Sequence, residues 1–317
     1  MKILINNQID SNVWNSYVKN NTFYRFEWLD IIQNTYNLEP YYLILNDGDK
    51  FALLPAFKVK NKLISLPYTY IVGFLSNSEE LLNKLKEYIN KNSLIVQYKY
   101  LSNTIKDTST VTAIIYADSS DLFWKKISSN MRNQIRKSQQ YKLVLKKEES
   151  VNNFYDIYSK KMHTLGTPIH SKHFFKNILK SIKNSYVFTV LYEEKAVASM
   201  FCIITNDITT NQKALNITWA ATDSSYDKYY TNYFLYYEVI KKFIDEGISS
   251  IDLGTCKVDS SQYKFKNKWK PTFYSIEQYN GKDYKNNKKM ILISNLWKKL
   301  PLSVANYLGP KLRKYLV

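Results

Sequence analysis

Between Ile248 and Tyr274 the chain sets a carboxylate, a glycine and a run of lysines and aromatics close together. An apolar stretch ends in Asp252-Leu253-Gly254, and Tyr263-Lys264-Phe265-Lys266-Asn267-Lys268-Trp269 follows. A strand ending in a carboxylate and a glycine presents side chains at a sheet edge, where ligands usually sit. Lysines flanked by aromatic rings suit an anionic, partly planar substrate, and they equally suit a surface loop in a lysine-rich chain. The chemistry that asks least of such residues is direct acyl transfer to an amine. It needs two substrates held in line, a donor for the developing oxyanion and a group or water chain to take the proton. Lys266 is the candidate oxyanion donor; Asp252, Tyr263 and His163 are the candidates for the proton.

Other chemistries find less support. The histidines, His163, His170 and His173, fall in one segment, and no serine sits in a nucleophile elbow. Cys202 and Cys256 are too few for a disulfide framework, and no Cys/His spacing resembles a zinc site, so no metal is expected. Neither G-x-G-x-x-G nor G-x-x-x-x-G-K-[ST] occurs. Further candidates for binding are Thr167 and His170, in the polar turn that Gly166 and Pro168 create, and Trp219, at the end of a strand. Tyr230 and Asn232 open a helix, where a free N-terminus favours an anion. Arg132 and Arg136 lie on a segment that reads either as a solvated linker helix or as a phosphate clamp facing a cleft.

The elements that must position these residues repeat. In the first half a helix around Trp28, Leu29 and Ile32 precedes two apolar strands joined by the turn Asn46-Asp47-Gly48-Asp49. A strand at 63–66, a helix at 79–90 and a strand at 93–98 complete that unit. The second half has helices around Phe154 to Met162 and Phe174 to Ile182, a hairpin about Glu193-Glu194-Lys195, a strand at 214–221, a helix at 232–246 and a strand at 249–253. Hairpins followed by a helix and a returning strand define an α+β class, with two tandem domains, each a mixed, largely antiparallel sheet flanked by helices.

With 317 residues and 45% hydrophobic content, the chain has length enough for two domains or one large one. The net charge of +18 attracts anions, but the basic residues are spread out with no long basic block, which speaks against DNA as a partner. No signal-like or membrane-spanning apolar run is seen, so the expected location is the cytoplasm.

The ordered set Met162 through Pro168, Trp219-Ala220-Ala221, Asn232 opening a long helix, Asp252-Leu253-Gly254 and Tyr263 through Trp269 resembles the FemAB-like branch of the GNAT acyltransferases. Arg132 through Lys137 is similar to that branch's basic helix between its two domains, while Trp28 and Pro67-Tyr68-Thr69-Tyr70 to Gly73 resemble its N-terminal half. The resemblance implies amide-bond formation by direct attack of an amine on an activated acyl donor, either acyl-CoA or aminoacyl-tRNA. It makes Lys266 the transition-state lysine and adds Trp28, Tyr68 and Tyr70 to the candidates for substrate binding, beside Lys264 of the basic, aromatic stretch. Two departures stand out. The long helical hairpin of the Fem ligases is missing, and so is the Arg/Gly-rich pyrophosphate loop at Ser224 to Tyr233.

The expected organisation is an N-terminal GNAT-like domain over 1–118, a basic helical connector over 119–147, a C-terminal GNAT-like domain over 148–286 and an amphipathic segment over 287–317. The expected function is N-acylation of a nucleotide-linked amino sugar by acyl-CoA, for a surface polysaccharide or the cell envelope. The alternatives are an aminoacyl-tRNA-dependent ligase acting on a peptidoglycan precursor, and a non-catalytic glycan- or membrane-binding module. In the C-terminal segment Ile291, Leu292, Leu296, Trp297 and Leu300 interleave with Lys298 and Lys299, a pattern that fits peripheral contact with the inner face of a membrane as well as packing on its own domain.

Overall fold

The computed structural model describes residues 3–69, 73–102, 104–106, 109–280 and 288–313; Tyr70 and the side chains of Ile291 and Leu292 lie outside the described residues. The chain folds as two compact units, 1–103 with 276–285 and 314–317, and 104–275 with 286–313. The boundary therefore falls at 103/104 instead of 118, and the segment expected to connect two domains is built into the second unit.

In the first unit the chain runs β1 (Leu4–Ile5), α1 (Ser11–Val18), α2 (Phe26–Tyr36), β2 (Glu39–Asp47), β3 (Lys50–Val59), β4 (Lys62–Ser65), β5 (Leu75–Ser76), α3 (Glu79–Lys91) and β6 (Val96–Ser102). β2 and β3 form the expected hairpin, closing on Asp47 opposite Lys50 with Gly48 at a φ of +55°. β3 pairs antiparallel with β4, and β4 pairs parallel with β6 after α3 crosses over. Leu81, Leu85 and Ile89, spaced four apart on α3, bury one face against Leu43, Leu45, Leu54 and Ala56 of the sheet.

The second unit contains β7 (Thr110–Tyr116), α4 (Ser120–Lys126), α5 (Ser129–Gln139), β8 (Leu143–Glu148), α6 (Asn152–Thr164), α7 (Lys172–Ser181), β9 (Ser185–Tyr192), β10 (Lys195–Asn206), β11 (Lys213–Thr222), α8 (Thr231–Asp245), β12 (Ser250–Lys257), α9 (Ser261–Asn267), the start of β13 (Thr272–Tyr279), α10 (Lys288–Trp297) and α11 (Leu302–Arg313). The connector is thus two short helices and a strand. Ser119 and Ser128 each cap a helix, so the chain breaks at Ile127 where a continuous helix was expected. The strand order from β7 is β7-β12-β11-β10-β9-β8, antiparallel throughout except for the parallel pair β11/β12. Each unit is therefore a mixed, largely antiparallel sheet with flanking helices, and each contains a parallel pair reached by a helical crossover, β4/β6 and β11/β12. Phe234, Leu235, Val239, Ile240 and Phe243 of α8 close one face of the second sheet, and α6 and α7 pack Phe154, Phe174 and Phe175 on the other. Each such side chain stabilises the unit by roughly 1.5–3 kcal/mol.

Candidate functional site

β11 and β12 pair at only three positions, Ala214 with Ser250, Leu215 with Ile251 and Asn216 with Asp252. Beyond these they part, although β11 stays paired with β10 up to Thr222 and β12 stays paired with β7 up to Lys257. The cause is local. Register shifts occur between Phe201 and Cys202 on one flank and between Asp252 and Thr255 on the other, and an extra residue in a ladder bends its strand. Gly254 takes a φ of +76°, and a Cβ there would lie 3.2 Å from the Ile217 carbonyl oxygen, so glycine is what lets the bulged strand approach its neighbour.

Asp252 ties this fork together. Its carboxylate accepts hydrogen bonds from Thr112 Oγ1 on β7 (2.7 Å), from the Gly254 N–H (2.8 Å) and from Asn216 Nδ2 on β11 (3.1 Å). Asn216 Oδ1 in turn accepts from Thr218 Oγ1 at 2.8 Å. Asp252 is 4% exposed, and burial pushes its carboxyl up to about 7, against the opposing pull of the Gly254 N–H and the Lys266 ammonium.

An open cavity of about 530 Å³ fills the gap between the strands. Ile217 to Thr222 and Leu253 to Thr255 form its two edges, and Lys266, Phe265 and Gln262 come from α9. α9 forms because Ser260 accepts the Tyr263 N–H, and because Phe265 and Trp269 pack against Tyr236 of α8. That packing leaves Lys266, one position further round the helix, facing the fork. Its Nζ donates to the carbonyl oxygens of Gly254 (2.8 Å) and Thr255 (2.9 Å). Two of the three N–H groups are thereby committed, and the third is left for an atom in the cavity. Lys266 is 7% exposed, and burial holds its ammonium below the usual lysine range despite the nearby Cys256 and Asp252.

The remaining walls come from α6, the turn after it, α8 and α11. Tyr158, Lys161, Met162, Leu165, Thr167, Asn232, Tyr236 and Arg313 line them. Trp219 is set by an aromatic cluster, edge-on to Phe175 at 5.0 Å and Phe201 at 5.7 Å. His170 sits behind it, buried and stacked on Phe174 at 4.7 Å, its imidazole held well below the usual range first by burial and then by the charge of Arg313. α8 follows Tyr230, whose φ of +57° is left-handed and which makes no side-chain cap, and Asn232 in its first turn lines the cavity.

Of the residues singled out in the sequence, the structure brings Lys266, Thr167, Trp219 and Asn232 into this cavity, with Asp252 directly beneath. The others lie elsewhere. Tyr263 stacks on Phe273 at 4.5 Å, and His163 Nε2 contacts the Leu300 carbonyl oxygen at 2.8 Å, so both rings face away from the fork. Arg132 gives Nη1 to the carbonyl oxygens of Trp124, Lys125 and Ile127, closing the C-terminus of α4, and Arg136 covers the ring of Trp124. Neither arginine lines the cavity as a phosphate clamp. Tyr230 lies under Lys137, and Lys264 is exposed on the outer side of α9. In the first unit Trp28 is a fully buried core residue against Phe23, and Tyr68 leans on Tyr36 at 4.4 Å. The sequence reading missed Tyr158, Lys161, Thr218 and Arg313. Tyr158 and Lys161 fall on the helix expected from Phe154 to Met162, just before the polar turn at Thr167; nothing in the sequence links Arg313 to the fork.

Among the described residues no group of three or more His, Cys, Asp or Glu side chains is arranged to hold a metal, and no helix is long and apolar enough to cross a membrane.

The opened parallel pair, the buried lysine and the start of α8 all lie between residues 213 and 267. Residues 125–267 match the acetyltransferase (GNAT) domain family. The whole chain shares the fold of FemX (12% identity, TM-score 0.63, covering 88% of this chain and 98% of that one). It also shares the fold of a conserved protein of unknown function from Bacteroides thetaiotaomicron (13%, 0.58, 87% and 99%). A third match is the C-terminal domain of a putative lysylphosphatidylglycerol synthetase from Agrobacterium fabrum (10%, 0.56, 86% and 92%). No curated protein sequence matches the chain. Residues 125–267 thus carry a GNAT-type acetyltransferase domain, and the chain has the two-unit fold that FemX has.

Proposed function

We propose that the protein moves an acyl group from acyl-CoA to the amino group of a nucleotide-linked amino sugar, by direct attack in the cavity between β11 and β12. The observation that carries this reading is the parting of the two strands next to Lys266. An open strand edge hydrogen-bonds an extended, amide-bearing chain as it would another strand, and the pantetheine arm of CoA is such a chain. At the far end of that edge the uncapped N-terminus of α8 suits a diphosphate. Thr231 Oγ1 there is buried without a hydrogen-bond partner among the described residues. Trp219, Tyr158 and Phe265 offer faces for a sugar ring, and Lys161 and Arg313 offer charge for its phosphates.

The amine nitrogen attacks the thioester carbonyl carbon, and the carbonyl oxygen, gaining negative charge, accepts the third N–H of Lys266. The tetrahedral adduct collapses to the amide, expelling the CoA thiolate. The proton lost by the amine passes to water in the open cavity and the thiolate is protonated in turn; Tyr263 and His163 face away and take no part. Asp252 acts as a positioning residue, holding β7, β11 and the Gly254 bulge in the register that aims Lys266. Incubating the purified protein with a panel of acyl-CoAs and nucleotide amino sugars, and following thiol release, tests the reading. Thiol release that depends on the amino sugar supports it, and none with any pair refutes it.

A second reading, transfer from aminoacyl-tRNA to a peptidoglycan precursor, draws on the net charge of +18, which suits a polyanionic donor. FemX and the lysylphosphatidylglycerol synthetase domain share the fold but not enough sequence to choose between donors. Salt-sensitive tRNA binding favours this reading, and turnover with acyl-CoA by RNA-free protein excludes it.

A further inference from the structure

The last two helices present an apolar face that nothing among the described residues covers. Of the fourteen large hydrophobic side chains exposed on the described surface, five lie between Ile293 and Leu312: Ile293, Leu296, Val304, Tyr307 and Leu312. The rest are scattered over the chain, so this clustering needs its own cause. α11 packs inward through its small residues: Ala305 and Gly309 are buried, and a Cβ on Gly309 would lie 3.0 Å from the Ile169 backbone nitrogen. The opposite side of the same turns carries Val304, Tyr307 and Lys311, with Tyr307 at 66% exposure and the Lys311 ammonium 3.7 Å from the centre of its ring. On α10 Trp297 points inward, while Ile293 and Leu296 lie one turn apart on the outer side.

Charge decides what this face meets. From Tyr284 to Val317 the sequence has eight basic residues and no aspartate or glutamate. Lys298, Lys299 and Lys311 are exposed beside the apolar side chains. A helix pair that is apolar on one stripe, rimmed by lysine and free of acid, with a tyrosine at the boundary, matches a lipid–water interface with negative headgroups. The pair is firmly seated. Its Leu300 carbonyl meets His163, its Ser294 hydroxyl donates to the Leu165 carbonyl (3.4 Å), and Arg313 donates to the Pro168 carbonyl (3.4 Å). Leu165, itself exposed, and Thr167 line the cavity, so the face adjoins the cavity mouth.

We propose that α10 and α11 form a docking surface for an anionic bilayer. Docking through this face is independent of which acyl donor or acceptor the cavity takes.

The test is flotation of the full-length protein with phosphatidylcholine vesicles and with vesicles that also contain phosphatidylglycerol, without acyl donor or acceptor. Binding is expected to the anionic vesicles and not to the neutral ones, and it should decline as salt is raised. The triple variant Lys298→Gln, Lys299→Gln, Lys311→Gln should bind on the order of 100-fold more weakly, about fivefold per lysine. All three positions are exposed, and an unchanged melting temperature confirms the fold of the variant. No binding to anionic vesicles, equal binding to both kinds, or a triple variant that binds like the wild type overturns the proposal. So does a wild-type dimer in sedimentation velocity that Leu296→Glu with Tyr307→Glu dissociates, since the face would then be a contact between two copies.

Discussion

Replacing Lys266 with methionine removes the ammonium and keeps most of the side-chain length. Two of its hydrogen bonds hold the carbonyls of Gly254 and Thr255, and the third N–H is the one assigned to the reacting carbonyl oxygen. Loss of one donor aimed at a developing oxyanion costs roughly 2.7–4 kcal/mol, or about 100- to 1,000-fold in kcat. The structural loss is smaller, because both carbonyls border the open cavity and water can solvate them. About 2 kcal/mol, against a folding free energy of about 5–15 kcal/mol, leaves nearly every molecule folded at 25 °C. Unfolding therefore cannot mimic the catalytic loss. Steady-state thiol release with the best acyl-CoA and acceptor gives kcat, and a thermal melt gives the fold. The pH profile adds a sign. Burial lowers the pKa of the ammonium, so if Lys266 works as a donor, kcat declines as pH rises through that lowered value. If it worked as a base, kcat would climb instead. A folded Lys266→Met protein with kcat within threefold of wild type, or a wild-type kcat that climbs through the alkaline range, refutes the assignment.

Three further outcomes follow from the fork. Gly254→Ala places a Cβ 3.2 Å from the Ile217 carbonyl oxygen at a φ of +76°, and it should cost about 1–3 kcal/mol in denaturant unfolding with a reduced kcat. A melt and kcat indistinguishable from wild type would show that the bulge tolerates a side chain. For Asp252, burial raises the folded carboxyl to about 7 from 3.8. Between these values the folded chain keeps a proton that the unfolded chain has released, so stability falls as pH rises through that window. Unfolding curves at pH 4, 5.5 and 7 should show this fall in the wild type and a flatter course in Asp252→Asn, and matching slopes would argue against a buried, proton-holding carboxyl. Asn232→Asp puts a negative charge at the α8 N-terminus, where the diphosphate is expected; KM for acyl-CoA should rise about tenfold with kcat little changed, and an unaltered KM would move the diphosphate elsewhere.

Repetition was the easiest thing to read in the sequence. The β2–β3 hairpin announces itself through Asn46-Asp47-Gly48-Asp49, and α3 and α8 through their apolar spacing, because these are local patterns. The elements that escaped depend on distant partners. α9 looked like a charged loop until Phe265 and Trp269 found α8, and β7 and β8 lie in stretches with weak alternation whose pairing is settled by β12 and β9. The site divides in the same way. Lys266 and Asp252 could be singled out because a strand ending in Asp and Gly runs straight into a lysine-rich aromatic stretch, and the family resemblance picks Lys266 from the lysines there. His163, Arg132 and Arg136 have the right chemistry, but they are drawn to carbonyl oxygens and a tryptophan ring that no spacing rule reveals.

The gap between β11 and β12 also bears on strand-to-strand aggregation. An unpaired strand edge on the outside of a sheet is a template for another polypeptide, and proteins usually guard it with charge, proline or a covering loop. Here the available edge lies inside the sheet, with β12 standing across from it and α9 over it. A single slender chain can slip in beside β11, but a second sheet cannot approach. The same geometry that accepts an extended ligand thus denies aggregation a foothold, and no gatekeeping residues have to crowd the place where the chemistry happens.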